Sequence, residues 1–423
     1  MREMKDSGIE WIGEIPAGWK VKKIKHSFSI IAGATPKSEV PEFWDGDIAW
    51  ITPADYKTAD VYVAGGKRNL SQAGYDSCGT TLIPSGSIVF SKRAPIGSVA
   101  INTNDLCTNQ GCLSCVPRCE CVTKYFYYMM SVFTEIFNLF GTGTTFKEIS
   151  ADNFANFSLP FPDITEQHQI VSYLDQKCTE IDAVIAKTKA TIEEYRKLRQ
   201  SIVTDAVTKG IRSERALKNT GVEWIRVVPV DWEMVRGKGL FVETNARSTT
   251  GEEELLTVSQ YTGVTPRSQK NVNMFEAESL EGYKICKVGD IAANTMWLWA
   301  GAIGVSEYEG VISPSYNLYR QSGENYNSKY LDYLLRCTPL VQCYESMSTG
   351  IRASRLRLYP QQFLSIRFPV PPMAEQVEIV AYLDKKCAEM DALIARKTAL
   401  LTEMESYKKS VIYEYVTGKK EVS

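Results

Sequence analysis

Two rhythms of apolar and polar positions alternate along the chain. Short apolar runs bounded by turn residues come first: Ile48-Ala-Trp-Ile51, Ser87-Ile-Val-Phe90, Ser98-Val-Ala-Ile101 and Leu113-Ser-Cys-Val116, punctuated by Asp45-Gly46 and Pro84-Ser-Gly86. Their length and β-branched content predict strands. Lys124–Leu139 and Lys329–Cys337 are the best helical stretches within these strand-rich regions. A different pattern follows, with apolar residues three and four apart. It runs from Leu174 through Cys178, Ile181, Ile185, Thr188, Ile192, Tyr195, Ile202 and Ala206, broken at Arg199. It returns from Leu383 through Cys387, Met390, Ile394, Leu401, Met404, Val411 and Tyr415, broken at Lys397 and Lys408. Sustained heptads with charged flanks predict a coiled-coil interface, carried by Leu174, Ile181, Ile185, Ile192, Leu383, Met390, Ile394 and Leu401. The alternative is a pair of ordinary amphipathic helices, each packed on its own domain.

Both rhythms occur twice because the sequence does. Gly8-Ile-Glu-Trp-Ile12 returns as Gly221-Val-Glu-Trp-Ile225, an offset of 213 residues (8 to 221). Glu166-Gln-x-x-Ile-Val-x-Tyr-Leu-Asp-x-Lys-Cys178 returns at Glu375–Cys387, an offset of 209 (166 to 375). Such a period far exceeds the ~20–50 residues of solenoid units and implies a duplicated domain-plus-helix module. The expected fold is α+β: domains at 1–160 and 213–368, each followed by a long helix, at 161–212 and 369–423. Helix one must lead into the second domain through Lys209-Gly-Ile-Arg-Ser213. If the two helices pair about a pseudo-twofold axis, they therefore run antiparallel and act as a spacer.

Composition narrows the function. Lys and Arg number 48 against 50 Asp and Glu, a net charge of −2, so nucleic acid is not bound by bulk charge. Any such binding rests on local patches. Tyr344–Phe368 is one, with Arg352, Arg355, Arg357 and Arg367 against Glu345; Ser91-Lys-Arg93 with Lys147 is another. Hydrophobic and charged fractions of 44% and 23% suit a folded chain. No apolar run approaches the ~20 residues of a membrane span, and no signal peptide is legible. A cytoplasmic protein without membrane partners is expected, its eleven cysteines reduced thiols.

No phosphate loop, dinucleotide fingerprint, nucleophile elbow or zincin motif occurs, and the chain has two histidines, His26 and His168. No catalysis and no cofactor are expected of this chain. Cys112-x-x-Cys115, flanked by Cys107, Cys119 and Cys121, has metal-ligand spacing. The competing reading makes these cysteines small apolar residues on a strand, and the second half has no cysteine in the matching Ile312–Asn317 segment. Gly-bounded polar loops carry the better signal. They are Ser91–Gly97, Gly141–Lys147, Val258–Thr262, Asn294–Trp299 and Thr349–Arg352. Arg, Lys, Asn and Gln read base edges, while hydroxyls hold phosphates. Candidate DNA contacts are Lys92, Arg93, Thr144, Thr145, Lys147, Gln260, Tyr261, Asn294, Arg352 and Arg355. Trp297 and Trp299 read equally well as core aromatics on a strand.

At the duplicated openings Gly8–Trp19 and Gly221–Trp232, the repeated Glu-Gln-x-x-Ile-Val-x-Tyr-Leu-Asp run and the helix ends Ser201–Gly210 and Ser410–Gly418, the chain resembles the specificity subunits of Type I restriction–modification enzymes. The resemblance implies two target-recognition domains separated by a long antiparallel two-helix coiled coil, each domain reading half of a bipartite double-stranded DNA site. It also implies docking of two methyltransferase subunits and two restriction subunits, which supply all catalysis. The second opening departs from the pattern at Arg226-Val-Val, which lacks the Gly and Glu of the first. The alternative function is a coiled-coil scaffold whose two domains bind protein or glycan.

Overall fold

The computed structural model describes residues 2–57, 60–93, 95–143, 147–270, 279–350 and 356–422. The chain divides into two compact units: Met1–Thr188 with Ala399–Ser423, and Lys189–Thr398. Each follows one plan.

In the first unit the main sheet is built from β1 (Phe28–Ala32), β2 (Tyr62–Val63), β3 (Ile88–Ser91), β4 (Val99–Asn102) and β5 (Cys112–Pro117). Their order is β1-β5-β3-β4-β2, antiparallel except for the parallel pair β2 and β4. The expected helix over Lys124–Leu139 is interrupted. It forms α1 (Thr123–Val132) and a short helix Thr134–Leu139, separated at Phe133, whose ring turns into the core against Trp11 at 4.5 Å. Phe90, Phe126, Phe133, Phe137 and Phe154 are all buried there, each contributing on the order of 2–3 kcal/mol by removal from water.

The second unit's sheet uses β6 (Phe241–Glu243), β7 (Ile291–Ala293), β8 (Ile303–Val305) and β9 (Asn317–Gln321), ordered β6-β9-β7-β8. That order repeats β1-β5-β3-β4. Helix α3 (Ser328–Leu335) occupies the place of α1 and starts at Asn327, whose side chain accepts from the Lys329 and Tyr330 amides.

Two long helices, α2 (Ile164–Lys209) and α4 (Met373–Val416), contribute to both units. Asp163 begins α2 by accepting from the Glu166 amide at 2.9 Å, while α4 follows directly on Pro371-Pro372. In the first unit Tyr173 packs on Tyr415 at 4.3 Å, and Lys408 Nζ lies 2.7 Å from both carboxylate oxygens of Asp182. In the second, Arg199 meets Asp391 at 3.0 Å and Arg212 meets Glu378 at 3.0 Å. Within each unit one number rises as its partner falls, so the paired segments run antiparallel. Of the apolar seam, Leu174, Ile181, Ile192 and Leu383 are buried; Ile185, Met390, Ile394 and Leu401 are half-buried. The seam's breaks at Arg199 and Lys408 carry cross-helix ion pairs at matching positions of the repeat.

Candidate nucleic-acid interface

The same polar anchors fix the loops of both units to the helices. Trp19 Nε1 donates to Glu166 Oε2 at 2.6 Å, and Trp232 Nε1 donates to Glu375 Oε2 at 3.0 Å. Arg2 and Arg215 pair with the same carboxylates. Gln167 accepts from the Val122 amide ahead of α1, as Gln376 accepts from Asn327 ahead of α3. Tyr125 and Tyr330 donate their buried hydroxyls to the carbonyls of Val416 and Val207. Satisfied buried polar groups of this kind specify one packing arrangement. The opening hairpins match as well: Gly8 and Gly221 both take positive φ (69° and 67°), with their amides bonded to Asp6 and Asn219 side chains. Where the sequence departs, so does the turn. Gly13 adds a second positive φ in the first copy, while the second copy has an irregular register between Asn219 and Val222.

On this shared frame each unit presents one loop at the end of a central strand and a second loop closed by a backbone bridge. In the first unit β3 ends at Ser91, whose Oγ donates to Pro95 O and accepts from the Ser98 amide. Those bonds turn the chain so that Lys92 and Arg93 lie alongside Glu148 and Ile149: Arg93 bridges Glu148, and the Ile149 amide bonds Lys92 O at 3.1 Å. Thr142 and Glu148 exchange two backbone bonds of 2.9 Å. The structure thus brings together Lys92, Arg93 and the exposed Lys147. It adds Glu148, absent from the sequence expectation, which binds Lys92 at 2.7 Å and lies 3.6 Å from Arg93. Thr144 and Thr145 lie outside the described residues.

In the second unit β7 ends at Ala293, and Asn294 stands where Ser91 stands in the first: the Asn294 backbone amide donates to Ala302 O as the Ser91 amide donates to Ser98 O. Asn294 is buried, its Nδ2 donating to Tyr316 Oη at 3.0 Å and its Oδ1 accepting from the Met296 amide at 3.2 Å. Its amide is committed to shaping the loop, which corrects the expectation of a base contact. Trp297 and Trp299 lie on that turn, not on a strand; their rings stack at 5.8 Å, with Trp297 half-exposed. Thr349 and Arg357 exchange two backbone bonds of 3.0 Å, as Thr142 and Glu148 do. Arg352 and Arg355 fall between them, outside the described residues. Gln260 and Tyr261 top the turn between strands Leu256–Ser259 and Gly263–Pro266. Tyr261 is 81% exposed. Arg336 holds that turn in place through the Gln260 and Tyr261 carbonyls, at 3.3 and 2.7 Å. Sequence reasoning missed Arg336 because nothing local links it to a turn some 75 residues away.

The cysteine segment resolves by strand geometry. Cys112 and Cys115 sit three apart on β5 and face opposite sides of the sheet, Cys112 toward the small core with Val89 and Leu106, Cys115 toward the aromatic core. A Cys-x-x-Cys pair on a straight strand does not converge on one ion. Burial pushes the Cys112 thiol up to about 12 and raises Cys115 further, so both stay protonated and apolar. Among the described residues no cluster of three His, Cys, Asp or Glu groups could hold a metal. No described helix is long and apolar enough to cross a membrane.

Residues 16–194 match the family model of the Type I restriction modification DNA specificity domain. Over 247 residues the chain is 32% identical to the type I restriction enzyme MjaIX specificity subunit of Methanocaldococcus jannaschii, a match covering 57% of this chain and 56% of that protein. The chain thus spans about half the length of that curated relative. A chain from a solved structure on complex assembly and conformational transition of the type I R-M system aligns with TM-score 0.71 at 16% identity, covering 96% of this chain and 99% of that one. The HsdS subunit from Thermoanaerobacter tengcongensis aligns with TM-score 0.50 at 16% identity, covering 96% and 98%. At these identities the structural likeness is one of fold.

Proposed function

We propose, from the match of residues 16–194 to the family model of the Type I restriction modification DNA specificity domain, that the whole chain is the sequence-specific DNA-binding specificity subunit of a Type I restriction–modification complex. Residues 1–160 and 213–368 are two target-recognition domains, each reading one half of a bipartite, asymmetric double-stranded site. Segments 161–212 and 369–423 form an antiparallel coiled coil that serves as the spacer. Two methyltransferase subunits and two restriction subunits dock on this chain in the cytoplasm and perform the chemistry. The chain itself is non-catalytic.

The observation that carries this reading is one loop plan with two side-chain sets. Thr142 with Glu148 and Thr349 with Arg357 close equivalent loops, yet Lys92 and Arg93 in one unit answer to Thr295 and Met296 in the other. Protein that reads two unlike half-sites needs a common frame and different contacts. Lys92, Arg93, Lys147, Gln260 and Tyr261 are assigned to DNA contact, with Thr144, Thr145, Arg352 and Arg355 added from sequence; Asn294 shapes its loop. A patchwise mechanism of this kind accommodates a net charge of −2, since affinity for phosphate depends on local cations and on docked partners.

Inserting four residues into both long helices at matching positions tests the spacer. The gap between half-sites should change while the half-sites themselves stay the same. An unchanged recognition site would overturn the reading.

A further inference from the structure

Glu148 stands where two cations meet. Its Oε1 lies 2.7 Å from Lys92 Nζ and its Oε2 3.6 Å from Arg93 Nη1, with the Lys92 side chain 16% exposed and that of Arg93 37%. Lys92 is therefore sheltered behind the carboxylate, while Arg93 remains open to a ligand. The backbone of Glu148 is fixed by its paired bonds with Thr142, and the backbone of Lys92 is fixed by Gly111 and Ile149. Swinging the carboxylate away means breaking an ion pair that the local backbone holds in register. Two cations against one anion leave a net +1 at this junction, and exposed Lys147 raises it to +2.

Among the described residues, no carboxylate pairs with a cation at the corresponding junction of the second unit. There the loop-closing residue is Arg357, and Thr295 and Met296 stand in place of Lys92 and Arg93. A carboxylate is thus not needed to close the loop. Its presence in one copy calls for an explanation beyond folding.

We propose that Glu148 is a specificity-determining positioning residue: it ties up Lys92 and orients Arg93 toward a base edge, so that the cation pair does not grip phosphates of any sequence. This rests on the DNA-binding reading above. Mobile, unpaired lysine and arginine release counterions from every duplex alike. Discrimination needs donors held in a fixed direction, as when arginine meets O6 and N7 of guanine. The half-site read by the first unit is accordingly expected to contain a guanine that depends on Arg93.

The test uses the assembled complex with the unaltered chain, Glu148→Gln or Glu148→Asp. The probes are duplexes carrying the methylated motif read from the host genome and its single-base variants in each half, titrated across salt concentrations. Glu148→Gln should bind non-cognate duplex more tightly, steepen the logarithmic salt slope by about 0.9 for the cation it frees, and lose roughly tenfold discrimination in one half only. Glu148→Asp keeps the charge and should restore the wild-type slope. Unchanged slope and discrimination for Glu148→Gln, or an equal loss in both halves, overturns the proposal and leaves the DNA-binding reading standing. Absence of sequence-selective binding by the unaltered complex overturns both.

Discussion

The two units agree where they meet the long helices and disagree in the loops that follow their central strands. Trp19, Glu166, Gln167 and Tyr125 in the first have counterparts in Trp232, Glu375, Gln376 and Tyr330, each making the same type of bond. Lys92, Arg93 and Glu148 have counterparts of different charge in Thr295, Met296 and Arg357. Cys112, paired with Ser91 beside the end of β3, is replaced by Tyr316, whose hydroxyl accepts from Asn294. Anchors buried among packed aromatics tolerate little change, because an unsatisfied donor there costs about 1–3 kcal/mol. Loop residues that face solvent carry no such constraint and are available to diversify.

The sharpest way to separate the anchors is by burial. Glu375 is almost completely enclosed (3% exposed) against Arg215 and Trp232, whereas Glu166 and Arg2 keep about a fifth of their surface in solvent. Glu375→Ala leaves the Trp232 indole N–H without its partner and removes the enclosed one of the two carboxylates that Arg215 pairs with, so thermal or denaturant unfolding should register a loss of about 3 kcal/mol. Glu166→Ala should cost less, about 1–2 kcal/mol. Equal losses would mean that the two anchors are not ranked by burial.

Alkaline stability separates the cysteine strand from its counterpart. Burial holds the folded Cys112 thiol at about 12, above the ~8.5 of an unfolded chain. The stabilisation is complete below pH ~8.5 and is lost as pH climbs toward 12, because only the unfolded chain ionises in that window. Cys112→Ser keeps a small residue beside Tyr56 and should flatten the alkaline arm by about 1.4 kcal/mol per pH unit in that range. Its counterpart Tyr316, raised by burial, adds its own arm only above the usual tyrosine value of ~10.

Equal effects are expected where the units are most alike. Tyr125→Phe and Tyr330→Phe each remove one buried hydroxyl-to-carbonyl bond. Each should cost about 1 kcal/mol, and the two should agree within a few tenths. Smallest of all are the helix-surface pairs. Asp182→Asn and Asp391→Asn break Lys408 and Arg199 pairs that are largely solvated, so each should change stability by no more than about 0.5 kcal/mol and less at high salt.

Much of the frame was legible before any coordinates. The strands at Ile48–Ile51, Ser87–Phe90, Ser98–Ile101 and Leu113–Val116 announced themselves by apolar runs, and the long helices by their three-and-four spacing. Both signals are local, and burial enforces them residue by residue. The loops were legible only as places. Lys92 could be flagged as a cation, but its pairing with Glu148 spans a separation of 56 positions that no periodicity encodes. Asn294 looked like a base reader by its chemistry and is instead spent on Tyr316 and a turn, because an amide suits both purposes. Cys112-x-x-Cys115 misled for a geometric reason: the spacing converges in a knuckle and diverges on a strand.

The central claim is that one frame carries two different readers. Single-molecule methylome sequencing of a host with and without this chain, in the presence of the methyltransferase proposed to dock on it, tests it directly. The account predicts a methylated motif that appears only with the chain, in two unlike halves separated by a gap of fixed length. A motif that is contiguous, or whose halves are identical, would contradict it, as would an unchanged methylome.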